Sequence, residues 1–395
     1  MLNEEQEQIS NNFIKYIELE NYKSIKKLGL DLTNLNVLIG ANGAGKSNLI
    51  SFFSFLQQML KENLRAYVAD KGGQDAFLYY GSKVSKYIAA NLQLTDDGRF
   101  GNEDEIIHYS FKLFPTVQNI FRFDNEEVRC GDYYTSNLCS DEFEYYKYNN
   151  EYETHLVGLY PIEYEGDMGD LSEEQWLKGF IQENFDYVQV FHFHDTSDTS
   201  PIKQPVADND NLYLRSDGAN VAAIIKLIHD TYPDYYRLLL DTVRMVVPDF
   251  HDFVNREGSF ISLEWFNKNN VDIPWKAYYL SDGSLRFITL ATLLLMPAKL
   301  QPHTIIIDEP ELGLHPSAIH ILSGLIKRAS QERQVIISTQ SPTLLSNFNL
   351  ENIIVVDKHG KSSEFKRLNK EELAVWMEDF TLPQLWEMNI LGGRP

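Results

Sequence analysis

The chain has 395 residues, with 35 basic side chains against 57 acidic ones and a formal net charge of −22. That length exceeds the roughly 150 residues of one ordinary domain, so two lobes, or one large domain carrying an insertion, are expected. A 43% apolar share and 13% aromatics exclude a disordered chain, and two cysteines, Cys130 and Cys139, exclude a disulfide framework and favour a reducing compartment.

In chain order, Phe13 to Glu20 and Leu35 to Ile39 read as strands. A glycine loop follows, and Asn48 to Glu62 carries helical spacing at Leu49, Phe52, Phe53, Leu56, Met59 and Leu60. The stretch from Asp96 to Glu174 holds 20 acidic and 5 basic residues together with nine tyrosines. It reads as an inserted, acidic subdomain, either a solvated appendage with half-buried tyrosines or a docking surface for a basic partner. Farther on, Asn220 to Ile228, Tyr235 to Val246 and Ser284 to Met296 read as helices. Thr304 to Ile307 and Val335 to Ser338 are short β-branched runs of the kind found in central parallel strands. The expected fold is therefore α/β, a mostly parallel sheet flanked by helices. The longest apolar stretch, Phe287 to Met296, stops at Pro297, well short of the roughly 18 to 20 residues of a membrane span. MLNEEQEQIS at the start lacks the basic and apolar regions of a secretory signal. The expectation is a cytoplasmic chain with no membrane partner. Its acidity also argues against a surface that coats nucleic acid throughout, while a local basic groove stays open.

Four motifs carry chemistry. GANGAGKS, Gly40 to Ser47, matches the phosphate-binding pattern G-x-x-x-x-G-K-S directly after a strand. Its glycines let the backbone curl so that N–H groups and a helix N-terminus face phosphates, which makes Asn42, Gly43, Ala44, Gly45, Lys46, Ser47 and Asn48 the nucleotide cradle. Lys46 supplies a point charge for the β- and γ-phosphates, and the Ser47 hydroxyl is a ligand for Mg²⁺. TIIIDEPE, Thr304 to Glu311, ends an apolar strand in two carboxylates, with Asp308 suited to the Mg²⁺ shell and Glu309 to polarising the attacking water. YLSDGSLRF, Tyr279 to Phe287, opens a helix. Ser281 is either a plain N-cap or, with Gly283, an anion site for a γ-phosphate. VIISTQSPTLL, Val335 to Leu345, ends a strand near Gln340, whose amide can hydrogen-bond the water or the γ-phosphate. A lesser cluster, His192, His194 and Asp195, reads as a metal site or, more ordinarily, as a hydrogen-bonded corner.

Taken in this order, the four motifs resemble ATPases of the ABC type that include RecF, SMC-like and OLD-family proteins. ELENYKSIKKL (Glu18 to Leu28) looks like their opening strand and turn. HFHDTS, LSDGSLRF, STQSP and LWEMNILGGRP are similar to a prokaryotic RecF-like predicted-ATPase family of the AAA class. The resemblance spans roughly 1 to 80 and 185 to 395. It implies a division into 1–95 (Walker A), the inserted 96–180, and 181–395 (signature, Walker B, switch). It also implies ATP and Mg²⁺ as cofactors, Glu309 as catalytic base, and Ser281 and Gly283 capping ATP across a head-to-head homodimer. Gln74, in GGQDAF, stands as a Q-loop residue on the Mg²⁺ side, and Lys23 stands where relatives often have Arg. Two departures matter: LSDGS replaces LSGGQ, and Gln340 replaces the switch histidine. An amide cannot carry a proton, so slow hydrolysis is expected. Two functions follow from the resemblance. One is a sensor or switch for a separately encoded nuclease or toxin in anti-phage defence. The other is a DNA-repair ATPase that clamps DNA on binding ATP, for which Lys83, Lys86, Lys327, Arg328 and Arg333 are the scattered basic candidates.

Overall fold

The computed structural model describes residues 14–95, 106–130, 133–134, 152–154, 181, 185 and 188–394. Its strands in chain order are β1 (Ile14–Tyr22), β2 (Ile25–Asp31), β3 (Leu35–Ile39), β4 (Ile88–Thr95), β5 (Ile106–Pro115), β6 (Phe121–Cys130), β7 (Tyr133–Tyr134), β8 (Val188–Phe191) and β9 (Val206–Ala207). They continue with β10 (Phe250–Phe253), β11 (Phe260–Ile261), β12 (Glu264–Asn267), β13 (Asn270–Lys276), β14 (Thr304–Asp308), β15 (Gln334–Thr339), β16 (Ile353–His359) and β17 (Ser362–Arg367). The helices are α1 (Lys46–Leu60), α2 (Leu64–Asp70), α3 (Val221–Thr231), α4 (Pro233–Val246), α5 (Asp282–Leu295), α6 (Pro316–Ala329), α7 (Pro342–Leu345), α8 (Lys370–Asp379) and α9 (Leu382–Glu387).

The central sheet runs β17-β16-β3-β15-β14-β8, parallel except where β17 turns back on β16. Both of its faces are buried, which is why its strands read as unbroken β-branched runs. Strand alternation divides those runs between two cores. Leu38, Val188, Val190, Ile306, Ile336 and Ile354 join α1 and the antiparallel sheet on one face. Val37, Ile39, Phe191, Ile305, Ile307 and Ile337 pack with the helices around α3 to α6 on the other.

The second sheet, β2-β1-β4-β5-β6-β7, is antiparallel and covers α1. Gln334 stitches the sheets together: its Nε2 donates to the Ile14 carbonyl at 2.9 Å and its Oε1 accepts from Thr304 Oγ1 at 3.1 Å. β5 and β6 fall within the stretch set apart by its acidity, yet β5 pairs with β4 over eight residues from Ile88 to Thr95, so this sheet runs across the 95/96 boundary. Residues 96–105, 131–132, 135–151 and 155–174 of that stretch, and Phe13, lie outside the described residues.

Two helices begin two residues earlier than expected. The helix expected from Asn48 begins at Lys46, directly after Gly45. The helix expected from Ser284 begins at Asp282, with the Ser281 side chain accepting from Ser284 N–H at 3.1 Å. Among the described residues, no helix is long and apolar enough to cross a membrane.

Candidate active site

The parallel register brings the motifs together. β14 lies between β15 and β8, and Asp308 pairs with Ser338 at their common end. Asp308 therefore shares a face with Ile306, the face that packs on α1. There Ser47 Oγ donates to Asp308 Oδ2 at 3.4 Å, and Ser338 Oγ donates to the other carboxylate oxygen, Oδ1. Asp308 is thereby held from two sides, one oxygen beside a hydroxyl at the start of α1.

Lys46 is only 5% exposed, and its Nζ donates to the carbonyls of Gly40 at 2.5 Å and Ala41 at 3.2 Å. The ammonium thus closes the loop on itself. Burial holds it below the usual lysine range, while the charges of Glu309, Asp308 and Glu311 pull the other way. The loop is braced from behind. Ser363 Oγ donates to the Ala44 carbonyl and lies 2.6 Å from Ser24 Oγ, which also accepts from Asn48 Nδ2 at 2.6 Å. The Asn48 side chain is therefore spent on the brace, whereas Asn42, Gly43 and Ser47 are exposed.

Glu309 has a φ of 47°, the left-handed region that costs a non-glycine residue about 1 to 2 kcal/mol. Its N–H still donates to the Ser338 carbonyl at 3.0 Å, so the chain turns sharply just past the ladder. The turn delivers its carboxylate to Gln340, whose Nε2 donates to Glu309 Oε1. Glu311, deeper in the same turn, accepts from Thr339 Oγ1 at 2.5 Å and from Gln340 N–H at 3.3 Å. Burial pushes the Glu311 carboxyl above the usual carboxylate range. The 308–311 and 338–340 segments thus form one hydrogen-bonded unit.

Ser47, Asp308, Lys23, Lys71, His192 and Ser216 line a cleft of about 580 Å³ along the open flank of α1. Lys23, at φ 47°, lies over the Phe77 ring at 5.4 Å from its centroid, and burial lowers its ammonium below the usual range. His194 sits 2.9 Å from the Asp308 carbonyl through Nε2, and loss of hydration lowers the His192 imidazole. Of the HxHD cluster, Asp195 instead accepts from Ser197 N–H at 3.0 Å, closing its own turn.

Three other expected residues are engaged elsewhere in the fold. Gln74 spends both polar atoms on the Thr116 backbone, donating to its carbonyl at 2.9 Å and accepting from its N–H at 2.8 Å. It clamps the β5–β6 turn, a correction to its expected place beside Mg²⁺. Ser281 and Gly283 stand at the N-terminus of α5, where Ser281 is the N-cap and Gly283 packs against the Gly313 carbonyl. Sequence reasoning missed Ser338, Ser363 and Arg286. Arg286 donates to the carbonyls of Phe193 at 2.8 Å, His194 at 3.0 Å and Leu312, tying α5 to both neighbouring loops. Counting strand parity forward from Ile336 would have exposed Ser338; nothing local signals Ser363.

The donor set at Asp308 and Ser47 is hard oxygen beside an open cleft, which fits Mg²⁺, a cation that keeps several waters and takes few protein ligands. Residues 35–346 match the family described as "AAA domain, putative AbiEii toxin, Type IV TA system". The chain belongs to this family. Its fold is that of SMC head ATPase domains. An SMC head bound to the C-winged helix domain of ScpA aligns with a TM-score of 0.60 at 15% identity, covering 92% of this chain and 99% of that one. An SMC head with an extended coiled coil from Pyrococcus furiosus, bound to the C-terminal domain of ScpA, aligns at 0.52 and 17% identity, covering 93% and 99%. One from Pyrococcus yayanosii, with a coiled coil and joint, aligns at 0.51 and 12% identity, covering 93% and 99%. No curated protein matches the chain in sequence. Nucleotide hydrolysis is the general activity of ATPases with this fold.

Proposed function

We propose that this protein is a Mg²⁺-dependent ATPase that closes as a head-to-head homodimer and acts as a switch for a separately encoded effector, a nuclease or toxin, in prokaryotic anti-phage defence. The observation that carries the ATPase reading is the convergence of Asp308, Glu309 and Gln340, at the ends of adjacent parallel strands, on Ser47 at the start of α1.

In this reading the Lys46 ammonium exchanges its two carbonyl partners for phosphate oxygens, which desolvation makes a strong interaction. Ser47 and Asp308 would hold the cation, which supplies charge neutralisation to the transferring phosphoryl group. Glu309 accepts the proton of the attacking water, and Gln340 fixes the orientation of that carboxylate. The amide cannot relay a proton onward, which favours long-lived closure over rapid turnover. Ser281 at the N-terminus of α5 serves the nucleotide of the partner copy. Exposed Tyr279 and Leu312, at 70% and 46%, flank that face and supply apolar contact area.

The effector role rests on the toxin description of the family. The acidic residues of 96–180 would serve as its docking surface. The test is Glu309→Gln protein co-produced with the products of neighbouring genes, its mass measured with and without ATP and Mg²⁺. An ATP-dependent dimer carrying a stoichiometric neighbour is the expected result. A monomer in all conditions defeats the switch, and a dimer that retains only DNA points to a repair clamp.

A further inference from the structure

The central sheet places one more group beside Asp308. β8 pairs in parallel with β14, in the register Thr304 with Val188 through Ile307 with Phe191. One residue farther along each strand, Asp308 stands opposite His192. Alternation then fixes the side: Val188 and Val190 face the α1 core with Ile306, so His192 follows them onto the face that carries Asp308 and Ser47. Phe191 and Phe193 face the opposite core.

The backbone there is pinned. His192 N–H donates to the Ser216 carbonyl at 2.8 Å, and Arg286 holds the carbonyls of both Phe193 and His194. His194 is engaged with the Asp308 carbonyl at 2.9 Å. The His192 ring, by contrast, makes no hydrogen bond among the described residues. It lies edge-on to His194 at 6.2 Å and lines the cleft with Ser47 and Asp308. An imidazole on a pinned backbone, with unused nitrogens beside a carboxylate and a hydroxyl, is what a nitrogen-tolerant cation needs.

We propose that His192 is a third protein ligand of the divalent cation held by Ser47 and Asp308, so that this site, while served by Mg²⁺, holds Mn²⁺ more tightly. Mg²⁺ favours an all-oxygen shell, whereas Mn²⁺, which shares its liking for carboxylate and water, is a transition metal and tolerates an imidazole among them better than Mg²⁺ does. Asp308, Ser47, His192 and the phosphates of a nucleotide would leave room for water in a six-coordinate shell. This inference rests on the ATPase reading.

The experiment uses the full chain with Mn²⁺ and ADP. Pulsed electron paramagnetic resonance reads nitrogen coupling to Mn²⁺, and competition with Mg²⁺ reads preference. Wild-type protein carrying ¹⁵N-histidine is expected to show histidine nitrogen coupled to Mn²⁺. His192→Ala and His192→Gln should lose it while still binding ADP with Mg²⁺, and their Mn²⁺ preference should fall about tenfold. His194→Ala should keep the coupling. Thermal melts of the variants, expected to match wild type because the ring faces the cleft, separate ligand loss from unfolding. Bound Mn²⁺ and ADP without histidine coupling, or coupling that survives in His192→Ala, overturns the inference alone. A wild-type protein that binds neither ADP nor an ATP analogue with any divalent cation overturns the ATPase reading as well.

Discussion

A methyl group placed on Gly283 would lie 2.5 Å from the carbonyl oxygen of Gly313. The opening turn of α5 and the loop after the 308–311 carboxylates therefore touch backbone to backbone, with Gly313 itself at φ 77°. Arg286 reinforces the contact by donating to the Leu312 carbonyl from one turn along the same helix. The glycine at 283 is thus required for packing within the chain, whatever its role toward a partner. Gly283→Ala should destabilise the fold by about 1 to 3 kcal/mol, since neither backbone can yield without moving the loop. Urea unfolding measures the loss; a midpoint equal to wild type would show that the loop shifts freely.

Arg286 poses a sharper case because three carbonyls depend on one buried guanidinium. Burial holds it below the usual arginine range. Arg286→Met keeps the bulk but leaves those carbonyls without their donor, at a cost of roughly 3 kcal/mol. It should also uncouple α5 from the 192–194 loop. Hydrogen exchange at the amides around His192 would rise if the link matters, and would stay unchanged if β8 pairing alone holds the segment.

Much of this site was legible because phosphate and cation chemistry demand fixed residue types at fixed spacings. The structure puts Ser47 beside Asp308 and Gln340 beside Glu309, and each of these motifs follows closely on a strand whose β-branched run is easy to read. The Gln74 expectation failed for the opposite reason. A lone glutamine beside glycines has no spacing constraint, and here both ends of its amide satisfy the Thr116 backbone. The acidic stretch is described only in part. Its composition suggested a separate unit; the part that is described, β5 and β6, alternates buried residues with half-buried or exposed ones and extends the sheet begun by β1. Sequence position could not reveal Ser363, which reaches the Ala44 carbonyl from 319 residues away.

Glu311 offers a pH test of the switch unit. Its folded carboxyl binds a proton more tightly than the unfolded one, because burial outweighs the hydrogen bonds from Thr339 and Gln340. Folding is therefore favoured while the group is protonated in both states, and that advantage is lost as pH rises from the unfolded pKa through the raised folded one. Glu311→Gln keeps the shape and cannot ionise. Its melting temperature relative to wild type should climb as pH is raised from the unfolded carboxyl's range, near 4.3, through the raised folded one. A difference that stays flat across this range would place Glu311 in water.

The amide of Gln340 is expected to act on orientation and not on binding. It donates to the Glu309 carboxylate, and its own N–H is held by Glu311. Gln340→Ala frees that carboxylate to rotate while leaving the phosphate loop untouched. Steady-state hydrolysis should fall about 10- to 100-fold in kcat with KM nearly unchanged. A rise in KM with kcat preserved would instead make Gln340 a substrate contact.

The C-terminal segment reaches the phosphate loop itself. Trp386 is fully buried, and its Nε1 donates to the Gly393 carbonyl at 2.6 Å, while Gly393 N–H donates to Asp357 Oδ2 at 3.3 Å. Gly393 sits at φ 56°, and a methyl group there would come within 2.9 Å of the Val356 carbonyl oxygen and 3.2 Å of Gly40 Cα. Gly40 is the first residue of the glycine loop, and its carbonyl already receives Lys46 at 2.5 Å. The tail thus supports the loop where the lysine is anchored. Gly393→Ala combines left-handed strain with a tight contact and should cost about 1 to 3 kcal/mol. Because the strain falls on Gly40, nucleotide affinity should weaken several-fold at temperatures where the variant remains folded. Titration with a fluorescent ADP analogue, alongside a melt, separates the two effects: lower stability with unchanged affinity would make the tail a support for the fold alone, with no hold on the phosphate loop.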